Sequence, residues 1–341
     1  INFIFLLFIL IKLIMDKNFC DIVIFGSGLS AKTMALVARN AGLSFNIVTD
    51  KNFGNKINND TRSLALSVAS KKMLKVLGAN IKAEAVKKMI VIEGGLGDEK
   101  IKSRLTFDRE LVDEDIAFIA EHSVIEKSLD KALKLEDDEL IREEVAKIER
   151  EKHKTKVTFK NKKSFMCRAV IFTEILNSEF QDMYNVKYNF YEYGQAAISA
   201  TLRHSKNHKG YAFQFFQKNG PLALLPMNNK RGNNYSSLVW TEKIDNIPSL
   251  LSSKKSLEES LNNLCSDYLG KISISKGPSS FILKKLTGIK SISNSAIFVG
   301  DALRAMHPMA GQAWNQSLRD IAYIADAIAE SQKLGLDLFQ C

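Results

Sequence analysis

At 341 residues, 45% hydrophobic and 25% charged, the chain has the balance of a soluble globular protein, with length for one large or two moderate domains. A formal net charge of +10 allows attraction to an anionic membrane surface or acidic ligands. The plainer reading is a Lys-rich solvated surface, and because Lys and Arg are spread without a stripe or stacking aromatics, nucleic acid is not expected as a partner. Cys20, Cys167, Cys265 and Cys341 form no CxxC pair, so neither a metal site nor a disulfide framework is indicated and a reducing cytoplasm fits.

Ile1 to Ile14 is almost wholly apolar, with Lys12 its only charge. It is shorter than the roughly 20 residues of a spanning helix. It also lacks the charged start and small-residue cleavage site of a secretory signal. Met15 stands just ahead of the first strand, so the expectation is that residues 1–14 lie outside the fold; a short hydrophobic membrane contact is the alternative.

Cys20 to Asp50 reads as a βαβ unit. Asp21–Phe25 is a buried strand, Gly26-Ser27-Gly28-Leu29-Ser30-Ala31 a GxGxxA turn, Lys32–Asn40 a helix closed by Gly42, and Phe45–Thr49 a second strand ending at Asp50. Gly26 permits the tight turn, Gly28 lets backbone approach a pyrophosphate, and Ala31 lets helix and strand pack closely. The helix N-terminus then faces the phosphates, and Asp50 stands where a carboxylate binds ribose hydroxyls. This context supports a dinucleotide site without separating FAD from NAD.

Asn59 to Ser67, containing Asp60-Thr61-Arg62, leads into a helix through Leu74 and Leu77 to Gly78. Ile90 to Leu111 alternates and turns on Gly94-Gly95 and Gly97, which predicts strands. Ser123–Leu133 is helical, with His122 read as a solvated cap or loop residue, and the charge-rich Glu136–Lys163 is read as a solvated hairpin. Arg168–Thr173 is a buried strand followed by Glu174-Ile175. Asn189 to Lys243 is punctuated by Gly and Pro and reads as an antiparallel sheet, with Tyr193, Phe213, Phe215 and Leu225 as candidates to line an apolar chamber or to fill the sheet core. An amphipathic helix at Leu250–Leu269 and a strand at Ser280–Leu286 follow.

The stretch that organises the chain comes last. Ser295–Val299 is a buried strand, Gly300-Asp301 ends it, and Pro308 and Gly311 keep the loop out of helix until Gln312. From there Ala313, Trp314, Leu318, Ile321, Ile324 and Ile328 follow a helical period. A helix beginning beside Gly311 aims the N–H groups of Gln312 and Ala313 at whatever lies in front, a site for negative charge. Asp301 is a carboxylate at a strand's C-terminal end, where open α/β sheets bind ligands.

Gly300-Asp301-Ala302, His307-Pro308, Ala310-Gly311-Gln312, Asn315 and Arg319-Asp320 resemble the second flavin motif of class A FAD-dependent aromatic hydroxylases, in their ubiquinone-biosynthesis branch. Tyr193–Ile198, Gly210–Phe216, Gly220–Pro226 and Ser237–Thr241 resemble that branch's middle domain. The resemblance implies a para-hydroxybenzoate-hydroxylase-like α/β fold: a Rossmann-like FAD-binding domain from 15–80, 112–175 and 287–341, and a mixed or antiparallel-sheet substrate domain from 81–111 and 176–286. It implies that Asp301 contacts the ribityl chain, that Gly311, Gln312, Ala313 and Asn315 lie near the pyrimidine end of the flavin, that Arg62 lies close to flavin and nicotinamide, and that His307-Pro308 sit on the substrate side. A surface ion pair is the alternative for Arg62.

The implied activity is hydroxylation of a polyprenylated phenol in ubiquinone biosynthesis, with FAD, NAD(P)H and O₂, through a flavin C4a-hydroperoxide. It carries with it a cytoplasmic location with peripheral contact on the inner face of the membrane, and membership of a quinone-biosynthesis complex. Glu174-Ile175 replaces the family's Asp-Gly pair, Ala313 replaces a usual Gly, and the chain stops at Cys341 where family members continue. These departures keep two alternatives in view: a degenerate, non-catalytic flavoprotein homologue, and a flavin-dependent prenyl reductase.

Overall fold

The computed structural model describes residues 19–49, 60–94, 96, 100–151, 154–230, 232–288, 290–293, 296–306 and 311–336. The first half runs β1 (Phe19–Phe25), α1 (Leu29–Asn40), β2 (Phe45–Thr49), β3 (Ser63–Leu66), α2 (Val68–Val76), β4 (Glu84–Val86), β5 (Lys88–Glu93), β6 (Ser103–Asp108), α3 (Arg109–Val112), β7 (Ala117–Glu121), α4 (His122–Leu133), β8 (Leu140–Arg142), β9 (Val145–Glu151), β10 (Lys154–Phe159) and β11 (Ser164–Phe172). It continues through α5 (Ser178–Met183), β12 (Tyr188–His204), β13 (Tyr211–Gln217), β14 (Gly220–Lys230), β15 (Asn233–Lys243), α6 (Ile247–Leu250), α7 (Lys254–Leu269), β16 (Ile272–Gly288), β17 (Ile292–Ser293), β18 (Ala296–Phe298), β19 (Arg304–Ala305) and α8 (Gln312–Leu334).

The first sheet has the order β17-β18-β11-β1-β2-β8, with β18, β11, β1, β2 and β8 mutually parallel. Such strands are covered on both sides, which is why β1 reads as a continuous apolar run. Ile22 and Ile24 point into a core shared with α1, α2, α4 and α8, whereas Val23 and Phe25 point into a second core with β9–β11. There Phe25 stacks on Phe172 at 4.8 Å, and Phe172 on Phe298 at 5.6 Å, binding three neighbouring strands by their rings. α1 approaches the sheet closely because Ala31, Ala35 and Ala38 are fully buried on its inner side.

The second sheet has the order β19-β16-β12-β15-β14-β13-β5-β6 and is mainly antiparallel. One face packs on α7 through Leu257, Leu261, Cys265 and Leu269. Three elements depart from expectation. The Glu136–Lys163 region is not a solvated hairpin alone: β8 extends the first sheet, and Val157 and Phe159 of β10 are buried on it. β3, β7 and β4 form a small third sheet that the sequence reading does not contain, because strands this short carry too few residues to show a period. The Leu250–Leu269 helix divides at Ser253, whose hydroxyl caps α7 by accepting the Ser256 N–H.

Phe213 and Phe215 do not line a chamber against the first domain. Their rings meet Tyr268 of α7 at 5.1 Å and 4.8 Å, on the helix side of the sheet. Strand alternation sends Gln214, the residue between them, to the other face, where Gln214, Ala223, Val239 and Ser199 align across four strands. Leu225 does lie on that other face and packs with Ala65, Val86 and Ile119 of the small third sheet. Tyr193 lines a surface pocket with Phe190, Tyr191 and Lys285.

Candidate cofactor site

Two turns far apart in sequence meet at the C-terminal ends of β1, β11 and β18. Gly26 has φ +126°, and a β-carbon there would stand 2.3 Å from Thr173 Oγ1, so glycine is required. Gly300 has φ +61°, and its β-carbon would stand 2.9 Å from Ser30 Oγ and 3.2 Å from the Thr173 carbonyl oxygen. Ser30 belongs to the first turn and Thr173 directly follows β11, so the Gly300-Asp301 turn is seated on the GxGxxA turn. Thr173 fixes the spacing by donating its hydroxyl to the Phe25 carbonyl at 2.9 Å.

Gly28 is the N-cap of α1, which has no side-chain cap and no acid in its first turn. The helix therefore opens with uncompensated N–H groups. A β-carbon on Gly28 would have only Glu174 Oε1, at 4.0 Å, within contact range. That oxygen accepts the Ser27 N–H at 2.8 Å, and the neighbouring Gly28 N–H also favours the charged carboxylate. The turn thus holds an anionic group in this structure, and its donors and open face fit a dinucleotide's diphosphate. Burial pushes the Glu174 carboxyl above the ordinary range, the two N–H donors pull it down, and the Asp301 charge pushes it up.

Asp301 stands exposed beyond Gly300, yet the protein around it pushes its carboxyl up, opposed by the Arg62 charge. Arg62 clasps Asp60 through Nε at 2.9 Å and Nη2 at 2.7 Å and lies over the Phe281 ring at 5.8 Å. His122, the first residue of α4, is not a solvated cap: it is mostly buried, and its Nδ1 lies 3.2 Å from Asp60 Oδ2. Burial lowers the His122 pKa, as does the Arg62 charge, with Asp60 opposing. Lys276 Nζ donates to the Asp60 carbonyl at 2.5 Å, and Ser199 Oγ to the Thr61 carbonyl at 3.0 Å, so the second sheet holds this segment in place.

Gly311, with φ +61°, begins α8, and a β-carbon there would stand 2.7 Å from that of Ala65. Asn315 is buried, and its amide group donates to the carbonyls of Ala65 (2.7 Å) and Gly311 (2.8 Å) and accepts the Ser67 N–H (2.9 Å). All of its visible partners are backbone, so Asn315 braces the loop to β3. Gln312 and Ala313 form the first turn of α8.

Of the sequence candidates, the structure brings together Gly26, Gly28, Ala31, Gly300 and Asp301 around one end of the first sheet, with Arg62 acting on Asp301. It ties Gly311 and Asn315 to β3, the strand that follows Arg62. Asp50, His307 and Pro308 lie outside the described residues, as do Gly95, Gly97 and residues 1–14. Ser30, Asp60 and Thr173 are site residues that pattern alone does not single out. Their only signal is position: inside the GxGxxA turn, two residues before Arg62, and at the last buried position of a parallel strand.

The family described as "FAD binding domain" matches residues 20–333. A ubiquinone hydroxylase, UbiL, of Rhodospirillum rubrum is 33% identical over 181 residues, 53% of this chain and 41% of that protein. The chain thus spans under half the length of that relative. The 3-demethoxyubiquinol 3-hydroxylase of Escherichia coli is 23% identical over 323 residues, 92% of this chain and 81% of its own length. Among solved structures, PqsL of Pseudomonas aeruginosa, described as a probable FAD-dependent monooxygenase, superposes with a TM-score of 0.77 at 15% identity, covering 94% of this chain and 89% of that one. The p-nitrophenol 4-monooxygenase PnpA of Pseudomonas putida gives 0.72 at 13% identity, with 94% and 82% covered. These likenesses establish the fold.

Proposed function

The chain belongs to the FAD binding domain family and its cofactor is FAD; on that premise we propose that it is an FAD- and NAD(P)H-dependent monooxygenase that hydroxylates the ring of a polyprenylated phenol in ubiquinone biosynthesis. The observation that carries the reading is the seating of Gly300 on Ser30, which joins the two nucleotide motifs into one site.

FAD supplies the redox chemistry and the activation of O₂. The chain's own residues do the rest. The N–H groups of the Gly26–Ala31 turn and of the α1 N-terminus bind the diphosphate. Asp301 orients the polyol between diphosphate and ring. The N–H groups of Gln312 and Ala313, aligned by Gly311 and by the Asn315 brace, stabilise negative charge at the pyrimidine edge. Ala313 retains the donor of the glycine it replaces. Arg62, held ready by Asp60, is the cation on the dinucleotide side, and His307-Pro308 are assigned to the substrate side. The Gln214–Ala223–Val239–Ser199 face belongs to the substrate layer, read as residues 81–111 and 176–286, and helps exclude water.

A prenyl tail keeps the substrate in the bilayer. No helix among the described residues is long and apolar enough to cross a membrane. Peripheral contact on the cytoplasmic face, within a quinone-biosynthesis complex, is part of this proposal. A second reading, a non-catalytic homologue, is favoured by Glu174-Ile175 in place of Asp-Gly.

The test is to add FAD to the purified chain, desalt it, and record its absorbance. Flavin retained at about one per chain, with NADPH oxidation accelerated by a prenylated phenol, supports the enzyme. A colourless folded protein overturns it. Bound flavin without phenol-stimulated oxidation moves the reading to the non-catalytic homologue.

A further inference from the structure

Glu174 lies between the two turns of the site, at the end of β11. Its Oε1 takes the Ser27 N–H at 2.8 Å, and the Gly28 N–H, next in the turn, also favours the charged carboxylate. These are donors of the kind a phosphate oxygen uses at a strand–turn–helix N-terminus. The carboxylate also borders the open space above Gly28, the face by which a diphosphate would approach: its Oε1 would stand 4.0 Å from a β-carbon there. Asp301 is the charged group that faces Glu174 from the adjoining turn, and Arg62 in turn acts on Asp301. Two carboxylates therefore border a cradle that must accept a doubly negative group.

We propose that Glu174 is an internal competitor of the cofactor's diphosphate: its carboxylate satisfies the turn in the apoprotein and has to take up a proton when FAD binds beside it. The proposal rests on the FAD reading above and adds the residue that sets affinity. Its sign follows from linkage. A diphosphate brought beside Glu174 favours the protonated carboxyl further, so the complex holds more protons than the free protein. Affinity for FAD then falls as pH rises through the carboxyl's titration range, a range that burial has already moved upward.

The experiment is a titration of the apoprotein with FAD, read by quenching of flavin fluorescence, from the ordinary carboxyl range at about pH 4.5 up to about pH 8. The wild type and Glu174→Gln are compared. Glutamine keeps the length and an oxygen for the Ser27 N–H but removes the charge. The expected result is that E174Q binds FAD roughly tenfold more tightly at the upper pH, the scale of one pKa unit of coupling. The wild-type dissociation constant should climb with pH while that of E174Q stays flat, which separates Glu174 from His122 and Asp301. Equal or weaker binding by E174Q, or an unchanged pH slope, overturns the proposal. The wild-type profile tests it even if the variant folds poorly, since a flat profile also overturns it. If neither protein binds FAD at any pH, the cofactor reading itself fails.

Discussion

Gly300 and Ser30 meet so closely that a β-carbon on the glycine would stand 2.9 Å from the serine hydroxyl oxygen. The contact crosses nearly the whole chain and converts two separate turns into one cradle. Gly300→Ala must also hold φ near +61°, a region costly to any residue with a β-carbon. The variant is expected to lose about 1–2 kcal/mol of stability in urea unfolding and to bind FAD more weakly. An alanine variant with unchanged midpoint and affinity would show that the seating is slack.

Asn315 has three backbone partners across Ala65, Gly311 and Ser67. Asn315→Ala leaves buried groups of that loop without partners, at a cost of roughly 2–3 kcal/mol. Asn315→Asp should be at least as harmful, because a carboxylate presents no donor to the two carbonyls. Denaturant midpoints for both variants check this, and a loss under about 0.5 kcal/mol in either speaks against the brace.

Asp60 gives a pH signature. Burial alone would raise its carboxyl, but the hydrogen bonds and charge of Arg62 outweigh it and hold the pKa below the ordinary range. A depressed acid stabilises the fold above its unfolded pKa and loses that contribution as pH falls through the folded value. The acid limb of stability, below about pH 4, should therefore flatten in Asp60→Asn, with some stability lost at neutral pH as well. Melting curves across that range decide it. Parallel acid limbs in the two proteins remove Asp60 from the account.

Phe215 is fully buried against α7 and faces away from the first domain. Phe215→Leu should cost about 1–2 kcal/mol of stability and leave the preference among the proposed phenol substrates unchanged. Val239→Phe, on the opposite face, should alter that preference. A specificity change in the first and none in the second would reverse the assignment of the two faces.

Much of this was legible in the chain as written. The GxGxxA turn, the strand before it and the helix after it follow from local rules, because each needs only its neighbours: apolar alternation, a glycine free to take positive φ, a helix that opens on unpaired N–H groups. The partnership of that turn with Gly300-Asp301 was an expectation carried by resemblance, since no local rule links residues so far apart. What tertiary structure alone decided is which side each group faces and what it meets. Phe213 and Phe215 differ from Gln214 between them only by strand alternation, and their sides are set by where α7 docks. Asp60, Arg62 and His122 meet because β3 and β7 pair Ser63 with Glu121, bringing the residues on either side together. Glu174 reads in sequence as a departure from a motif; folded, it is a partly buried carboxylate on the Ser27 N–H. Sequence determines which groups exist and their local geometry. Long-range packing decides their partners, because burial and charge act through distances that only the fold defines.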